Sequence, residues 1–116
     1  MRATKYKNRK TLYDGIEFDS SKEASYYQTL KWREEAGEID NLQTQVKYTL
    51  IPAQKRRSDA KTEKQCGYVA DFVFHDIAQN KTIVVDVKSA MTRKLPAYII
   101  KRKLMLMVHG IEIQEI

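Results

Sequence analysis

The chain is 116 residues long, enough for one domain and little more. About 42% of it is apolar, which supports a single modest core, and 21 Lys and Arg against 15 Asp and Glu leave a formal charge of +6. That excess favours an acidic partner such as nucleic acid or an anionic surface, while one cysteine, Cys66, excludes an internal disulfide and cannot build a zinc site unaided. The longest unbroken apolar run, residues 104–108, falls far short of the roughly 20 residues that span a bilayer. No apolar stretch follows the basic start, so no signal peptide is expected. The expectation is a soluble, cytoplasmic, single-domain protein over residues 1–116, with no membrane partner.

In chain order, residues 1–10 read as a basic arm. Asp14-Gly15, between two short β-prone runs, predicts a tight hairpin. Ser20 precedes a helix running to about Ala36, with Ala24, Tyr27, Leu30 and Glu34 near one face and Gly37 as a left-handed stop. Tyr26, Tyr27 and Trp32 fall at spacings that core packing explains. Gln43 to Ile51 reads as a strand ended by Pro52. Residues 53–66 lack any apolar period and read as a mobile basic loop. Tyr68 to Phe74 and Ile83 to Lys88 are the two strongest strand predictions, joined by turn chemistry at Asp76 and Asn80. Pro96 opens a last helix that Gly110 closes, its apolar side formed by Ile99, Leu104 and Met107, and residues 111–116 alternate as a final strand. This order of elements implies an α/β (α+β) fold, a mixed sheet flanked by helices.

The cations cluster. Residues 1–13 carry Arg2, Lys5, Lys7, Arg9 and Lys10 with no acid. Residues 52–65 add Lys55, Arg56, Arg57, Lys61 and Lys64 against Asp59 and Glu63, and residues 87–111 hold Lys88, Arg93, Lys94, Lys101, Arg102 and Lys103 with no acid. Three such segments form the footprint of a phosphate-backbone binder whose affinity falls steeply with salt. Tyr6, Tyr13 and Tyr98, in or beside these segments, are candidates for stacking on bases. Lys101, Arg102 and Lys103 are consecutive and cannot all share one helix face.

The two central strands are so apolar that a carboxylate inside either needs a reason. Alternation puts Asp86 and Lys88 on one face, with Ile83, Val85 and Val87 on the other. A hairpin symmetric about residues 78 and 79 sets Asp71 opposite Asp86, where two half-buried carboxylates repel. A divalent cation removes the conflict. Oxygen ligands without a neighbouring Cys or His point to Mg²⁺ or Mn²⁺, an ion that polarises a phosphoryl oxygen. Lys88 is placed to neutralise charge developing on phosphorus or to orient the attacking water; the bland reading pairs it with Asp71 or Asp86 as a salt bridge. Glu23 also has two readings. In Ser20-Ser21-Lys22-Glu23 it fits the third position of a capping box, or it is a third acid delivered to the metal, and a side chain folded back on the helix start cannot do both. His75 and His109 lack ligand spacing and read as strand-end and helix-end residues.

The pattern Asp71, 14 intervening residues, then Asp86-Val87-Lys88 resembles the PD-(D/E)XK nuclease superfamily. Residues 18–24 (FDSSKEA), 68–72 (YVADF), 85–88 (VDVK) and 111–113 (IEI) look like a phage-borne family of small resolvase-like endonucleases within it. The resemblance implies a restriction-endonuclease-like four-stranded mixed sheet and Mg²⁺-dependent cutting of DNA. Glu23, Asp71, Asp86 and Lys88 then stand as its acid, Asp, Asp/Glu and Lys, with Glu23, Asp71 and Asp86 around the metal. The chain departs from the name pattern with Ala70 before Asp71 and with Asp86 in place of glutamate. Gln45 is a candidate for positioning the site. The expected contacts to DNA come from Lys5, Lys7, Arg9, Lys10, Lys55, Arg56, Arg57, Arg93, Lys94, Lys101, Arg102 and Lys103. The substrate expected is branched DNA of the Holliday-junction kind, or duplex, and because one site cuts one strand, symmetric cleavage requires a homodimer. The competing expectation is a non-catalytic DNA-binding scaffold. A sequence-specific restriction nuclease is disfavoured, since no separate recognition domain is visible.

Overall fold

The computed structural model describes residues 10–116. It opens with a hairpin of β1 (Thr11–Tyr13) and β2 (Ile16–Phe18). Asp14 and Gly15 both take positive φ, 56° and 75°, the type I′ geometry whose twist matches the flanking strands. Helix α1 (Ser21–Glu35) follows, capped by the Ser20 hydroxyl. It stops where Gly37 turns left-handed at φ +78°. The Glu38 and Gly37 N–H groups then donate to Arg33 and Glu34 carbonyls, the paired bonds of a Schellman end.

Strands β3 (Ile39–Ile51), β6 (Cys66–Asp76), β7 (Lys81–Asp86) and β8 (Gln114–Glu115) form the four-stranded sheet, in that spatial order; β4 (Gln54–Lys55), β5 (Thr62–Glu63) and α2 (Pro96–His109) lie between them in sequence. The first three strands run antiparallel, and β8 pairs parallel to β7 after helix α2 (Pro96–His109). The mixed sheet predicted from the order of elements is therefore present. Gly110, at φ +68°, closes α2. Phe72, Phe74, Ile83, Val85 and Val87 bury one face of the sheet under α1, with Phe18 and Tyr27 at 5.1 Å between ring centroids. Tyr68, Ala70, Val73 and Val84 bury the other face with Tyr98 and Met105 of α2 and Ile113.

Six expectations differ from the structure. β3 starts at Ile39, not Gln43: Asn41, left-handed at φ 53°, sits in an irregularity between the Asp40 and Gln43 rungs and hides the alternation. Residues 53–66 are not a structureless loop. Gln54–Lys55 (β4) and Thr62–Glu63 (β5) pair as a separate two-stranded ribbon, and Cys66 already belongs to β6. The final strand is two residues long rather than six, because only Val85 and Asp86 of β7 offer it rungs. Trp32 and Met107 are exposed, since α1 and α2 turn other faces to the sheet. Tyr98 is buried and unavailable for stacking on bases.

The pleat is interrupted beside Gln45 and Asp71. On β6, Phe72 and Phe74 belong to the α1-side core, whereas Tyr68 and Ala70, in the same parity, belong to the α2-side core. On β3, Leu42 packs with the first core and Val46 and Tyr48 with the second. Both strands therefore exchange faces between the Thr44↔Phe72 and Val46↔Ala70 rungs, where Gln45 takes a left-handed φ of 54°. A non-glycine residue held there costs about 1–3 kcal/mol. The kink takes Asp71 out of simple alternation.

Candidate active site

Glu23 occupies the first turn of α1. The Ser20 hydroxyl accepts a hydrogen bond from the Glu23 N–H at 3.1 Å, half of a capping box. The reciprocal half is not made. Instead the Glu23 carboxylate accepts from the Gln45 Nε2 amide at 3.3 Å, and its side chain is turned into the fold. Ser20 therefore caps α1 while the Glu23 carboxylate faces Gln45 rather than the helix start. Burial pushes the Glu23 carboxyl up to about 7, helped by the Asp19 and Asp86 charges and opposed by Lys88.

Asp71 lies next to the last β6–β7 rung, Phe72↔Val85, so the hairpin has the register predicted from its symmetry and sets Asp71 beside Asp86. One Asp71 oxygen accepts from the Val87 N–H at 2.8 Å; the other accepts from the same Gln45 amide at 3.4 Å. Burial pushes its carboxyl up to about 7, with the Val87 bond pulling down and the Asp86 and Glu23 charges pushing further up. One side-chain amide thus bridges two carboxylates from different elements.

Asp86 is fully buried at the end of β7. Its Oδ2 accepts from the Tyr68 hydroxyl, while Oδ1 has no hydrogen-bond partner and lies 3.4 Å from the Lys88 ammonium. The shared face predicted for Asp86 and Lys88 fits this contact. The ammonium also sits 5.6 Å from the centroid of the Tyr98 ring. Tyr98 in turn donates to Glu115 at 2.5 Å, and Glu115 also accepts from Arg102 at 3.3 Å. Burial raises both tyrosine hydroxyls above the ordinary phenol range. Sequence reasoning missed Tyr68. Its only signal was a tyrosine in phase with Ala70 on a strand otherwise filled by aliphatic and phenylalanine side chains.

A cavity of about 190 Å³ is lined by Glu23, Asp71 and Lys88 together with Asp19, Lys22 and Thr92. A larger groove of about 590 Å³, between β7 and residues 110–116, lies away from these side chains. Lys5, Lys7 and Arg9 fall outside the described residues. Lys10 pairs with Asp19 at 3.4 Å beside the cavity, and Arg93 and Lys94 lie in a 3₁₀ turn just beyond Lys88. Lys101 and Lys103 lie on α2, Arg102 is committed to Glu115, and Lys55, Arg56 and Arg57 belong to the ribbon. Among the described residues, no helix is long and apolar enough to cross a membrane.

A family model described as a protein of unknown function, DUF1064, matches residues 3–114. The chain belongs to this family. No curated protein and no solved structure matches it.

In this family member the donor set suits a hard divalent cation. Among the described residues, no three or more His, Cys, Asp or Glu side chains gather around one point. Mg²⁺ does not need such a cage, since it keeps several waters and takes one or two carboxylates plus substrate phosphate. Glu23 and Asp71 supply two carboxylates joined by one amide donor, and the buried Asp86 Oδ1 lacks a hydrogen-bond partner. Oxygen-only ligands and insufficiently compensated negative charge fit Mg²⁺ or Mn²⁺.

Proposed function

We propose that this protein is a Mg²⁺- or Mn²⁺-dependent DNA endonuclease of the PD-(D/E)XK kind. Branched DNA of the Holliday-junction type is the proposed substrate, a homodimer the proposed unit, and recombination or phage DNA processing the proposed setting. The observation that carries the reading is the convergence of Glu23 and Asp71 on one Gln45 amide, in a cavity that Lys88 also lines. Bound there, the cation supplies Lewis acidity toward a phosphoryl oxygen. Glu23, Asp71 and Asp86 are the residues that would hold it. Lys88 is anchored by Asp86 and by the Tyr98 ring, which leaves its ammonium close to the cavity to face a scissile phosphate and stabilise the charge that grows there. Lys10, paired with the cavity-lining Asp19, and Arg93 and Lys94, in the turn that follows Lys88, would hold the flanking phosphates.

One observation favours the competing scaffold reading. Asp86 is already engaged by Tyr68 and Lys88, an arrangement that a purely structural ion pair would also show. Calorimetric titration separates the two. The endonuclease binds Mn²⁺ with an affinity that drops at least tenfold in Asp71→Asn and nicks supercoiled DNA in the same buffer. A scaffold binds DNA indifferently to the cation and nicks nothing.

A further inference from the structure

The ribbon of β4 and β5 stands apart from the rest of the fold. It forms its own two-stranded sheet, with Gln54 opposite Glu63 and Lys55 opposite Thr62, and every residue from Ile51 to Gln65 is exposed. Its connection is nonetheless ordered. The Arg56 N–H donates to the Lys61 carbonyl, Ala60 turns left-handed at φ 59°, and Arg56 pairs with Asp59 at 3.2 Å. Lys55, Arg57, Lys61 and Lys64 make no ion pair among the described residues. An exposed, hydrogen-bonded ribbon carrying four unpaired cations buries no apolar surface and contributes nothing to the core, so its charge calls for a polyanion.

Its position says which one. β3 runs from Gln45, whose amide bridges Glu23 and Asp71, to Ile51 at the ribbon's root, about 20 Å at roughly 3.3 Å per residue, and the ribbon reaches up to about 20 Å further. The span brackets one turn of B-DNA, about 34 Å. A two-stranded β-ribbon also fits the major groove, about 12 Å wide, whereas the deep, narrow major groove of A-form RNA excludes it.

We infer that the β4–β5 ribbon enters the major groove of duplex DNA about one helical turn from the phosphate held at the Glu23–Asp71 site, so that an uncut duplex arm of about ten base pairs is part of the substrate. The placement relative to a scissile phosphate rests on the proposed endonuclease function; the groove contact does not.

The test measures binding in EDTA, where no cleavage reading enters. Fluorescence anisotropy compares wild type with the quadruple variant Lys55→Gln, Arg57→Gln, Lys61→Gln, Lys64→Gln on 30-base-pair and 10-base-pair DNA duplexes and on a 30-base-pair RNA duplex. All four side chains are exposed, so an unchanged thermal midpoint certifies that the variant is folded. The variant is expected to lose about 100-fold in affinity for the long DNA duplex near 0.15 M salt, with the slope of log K against log salt shallower by about 3–4. Losses on the short DNA and on RNA should stay below about fivefold. Equal losses on all three ligands would reduce the ribbon to unspecific charge and overturn groove entry. No loss on any would take the ribbon off nucleic acid altogether and overturn the inference. A protein that cleaves nothing yet shows the length-dependent loss would sink the endonuclease reading and leave the ribbon contact standing; normal cleavage without that loss would do the reverse.

Discussion

Tyr68→Phe removes a single oxygen from a side chain that is 5% exposed, so it opens no cavity large enough to matter. What it removes is the hydroxyl that donates to Asp86, whose carboxylate is entirely buried. A hydrogen bond to a charged group contributes about 1.5–3 kcal/mol, and an unsatisfied buried acceptor costs at the upper end of such ranges. Asp86 has little in reserve, because its other oxygen has no hydrogen-bond partner and only the Lys88 ammonium at 3.4 Å. A loss of about 2–3 kcal/mol is therefore expected in metal-free buffer. For a chain of this length that lowers the thermal midpoint by about 8–15 °C. Urea unfolding followed by circular dichroism measures the loss, and a double-mutant cycle with Asp86→Asn isolates the pair. In the Asp86→Asn background the hydroxyl no longer faces a charge, and Tyr68→Phe should cost less than about 1 kcal/mol. A single variant within about 0.5 kcal/mol of wild type, or an equal cost in both backgrounds, would mean that the hydroxyl does not compensate a buried carboxylate.

Three further outcomes are expected. Gln45→Gly and Gln45→Ala both remove the amide that donates to Glu23 and Asp71 and should weaken Mn²⁺ binding and cleavage at least tenfold, but only the glycine relieves the left-handed backbone at φ 54°, so it should be the more stable of the two by about 1 kcal/mol; equal stability of the two variants would contradict the strain, and undiminished cleavage would contradict the positioning role. In EDTA, the carboxyls of Glu23 and Asp71 stand at about 7, above their unfolded values near 4, so folding favours their protonated forms. Their contribution is full below pH 4 and is lost as pH rises to about 7, after which it is level; urea midpoints should fall across that window and flatten in Glu23→Gln/Asp71→Asn, and a midpoint that rises instead reverses the sign. Ser20→Ala deletes the cap of α1 and should cost about 1 kcal/mol. Because the same turn aims Glu23, Mn²⁺ affinity should fall with it, and calorimetry showing stability lost with affinity intact would separate the cap from the site.

The parts of the fold that local chemistry dictates were legible in the sequence. Asp14-Gly15 specifies its turn, Ser20 and Gly37 bound α1, and the symmetry of the central hairpin sets the rung that brings Asp71 to Asp86. Asp71, Asp86 and Lys88 followed as candidates from that register and from the cost of placing carboxylates in apolar strands, whereas Glu23 joined them only through the family resemblance, since its own sequence context fits a capping box. What was hidden depends on contacts between distant segments. Periodicity assumes an unbroken pleat, so the left-handed residues Asn41 and Gln45 conceal the start of β3 and the exchange of faces at the site. The direction of the Glu23 carboxylate depends on Gln45, which lies on another element. The ribbon pairs so few residues that composition resembles a loop. Tyr68 reads as core until Asp86 is seen against its hydroxyl. Met107 reads as core until the face of α2 that carries Tyr98 and Met105 is seen to be the one turned to the sheet.

Whether Glu23, Asp71, Asp86 and Lys88 together form the proposed metal-dependent phosphodiesterase site is decided by a gel assay on a labelled four-way junction and a linear duplex of matching arms. Wild type is compared in Mg²⁺ and in EDTA, beside Asp86→Ala and Lys88→Met, whose folding is checked by circular dichroism. Cleavage is expected in Mg²⁺ only, faster on the junction, and reduced at least a hundredfold in both variants. Tight binding without cleavage in either Mg²⁺ or Mn²⁺, or cleavage that survives Asp86→Ala in a folded protein, would contradict it.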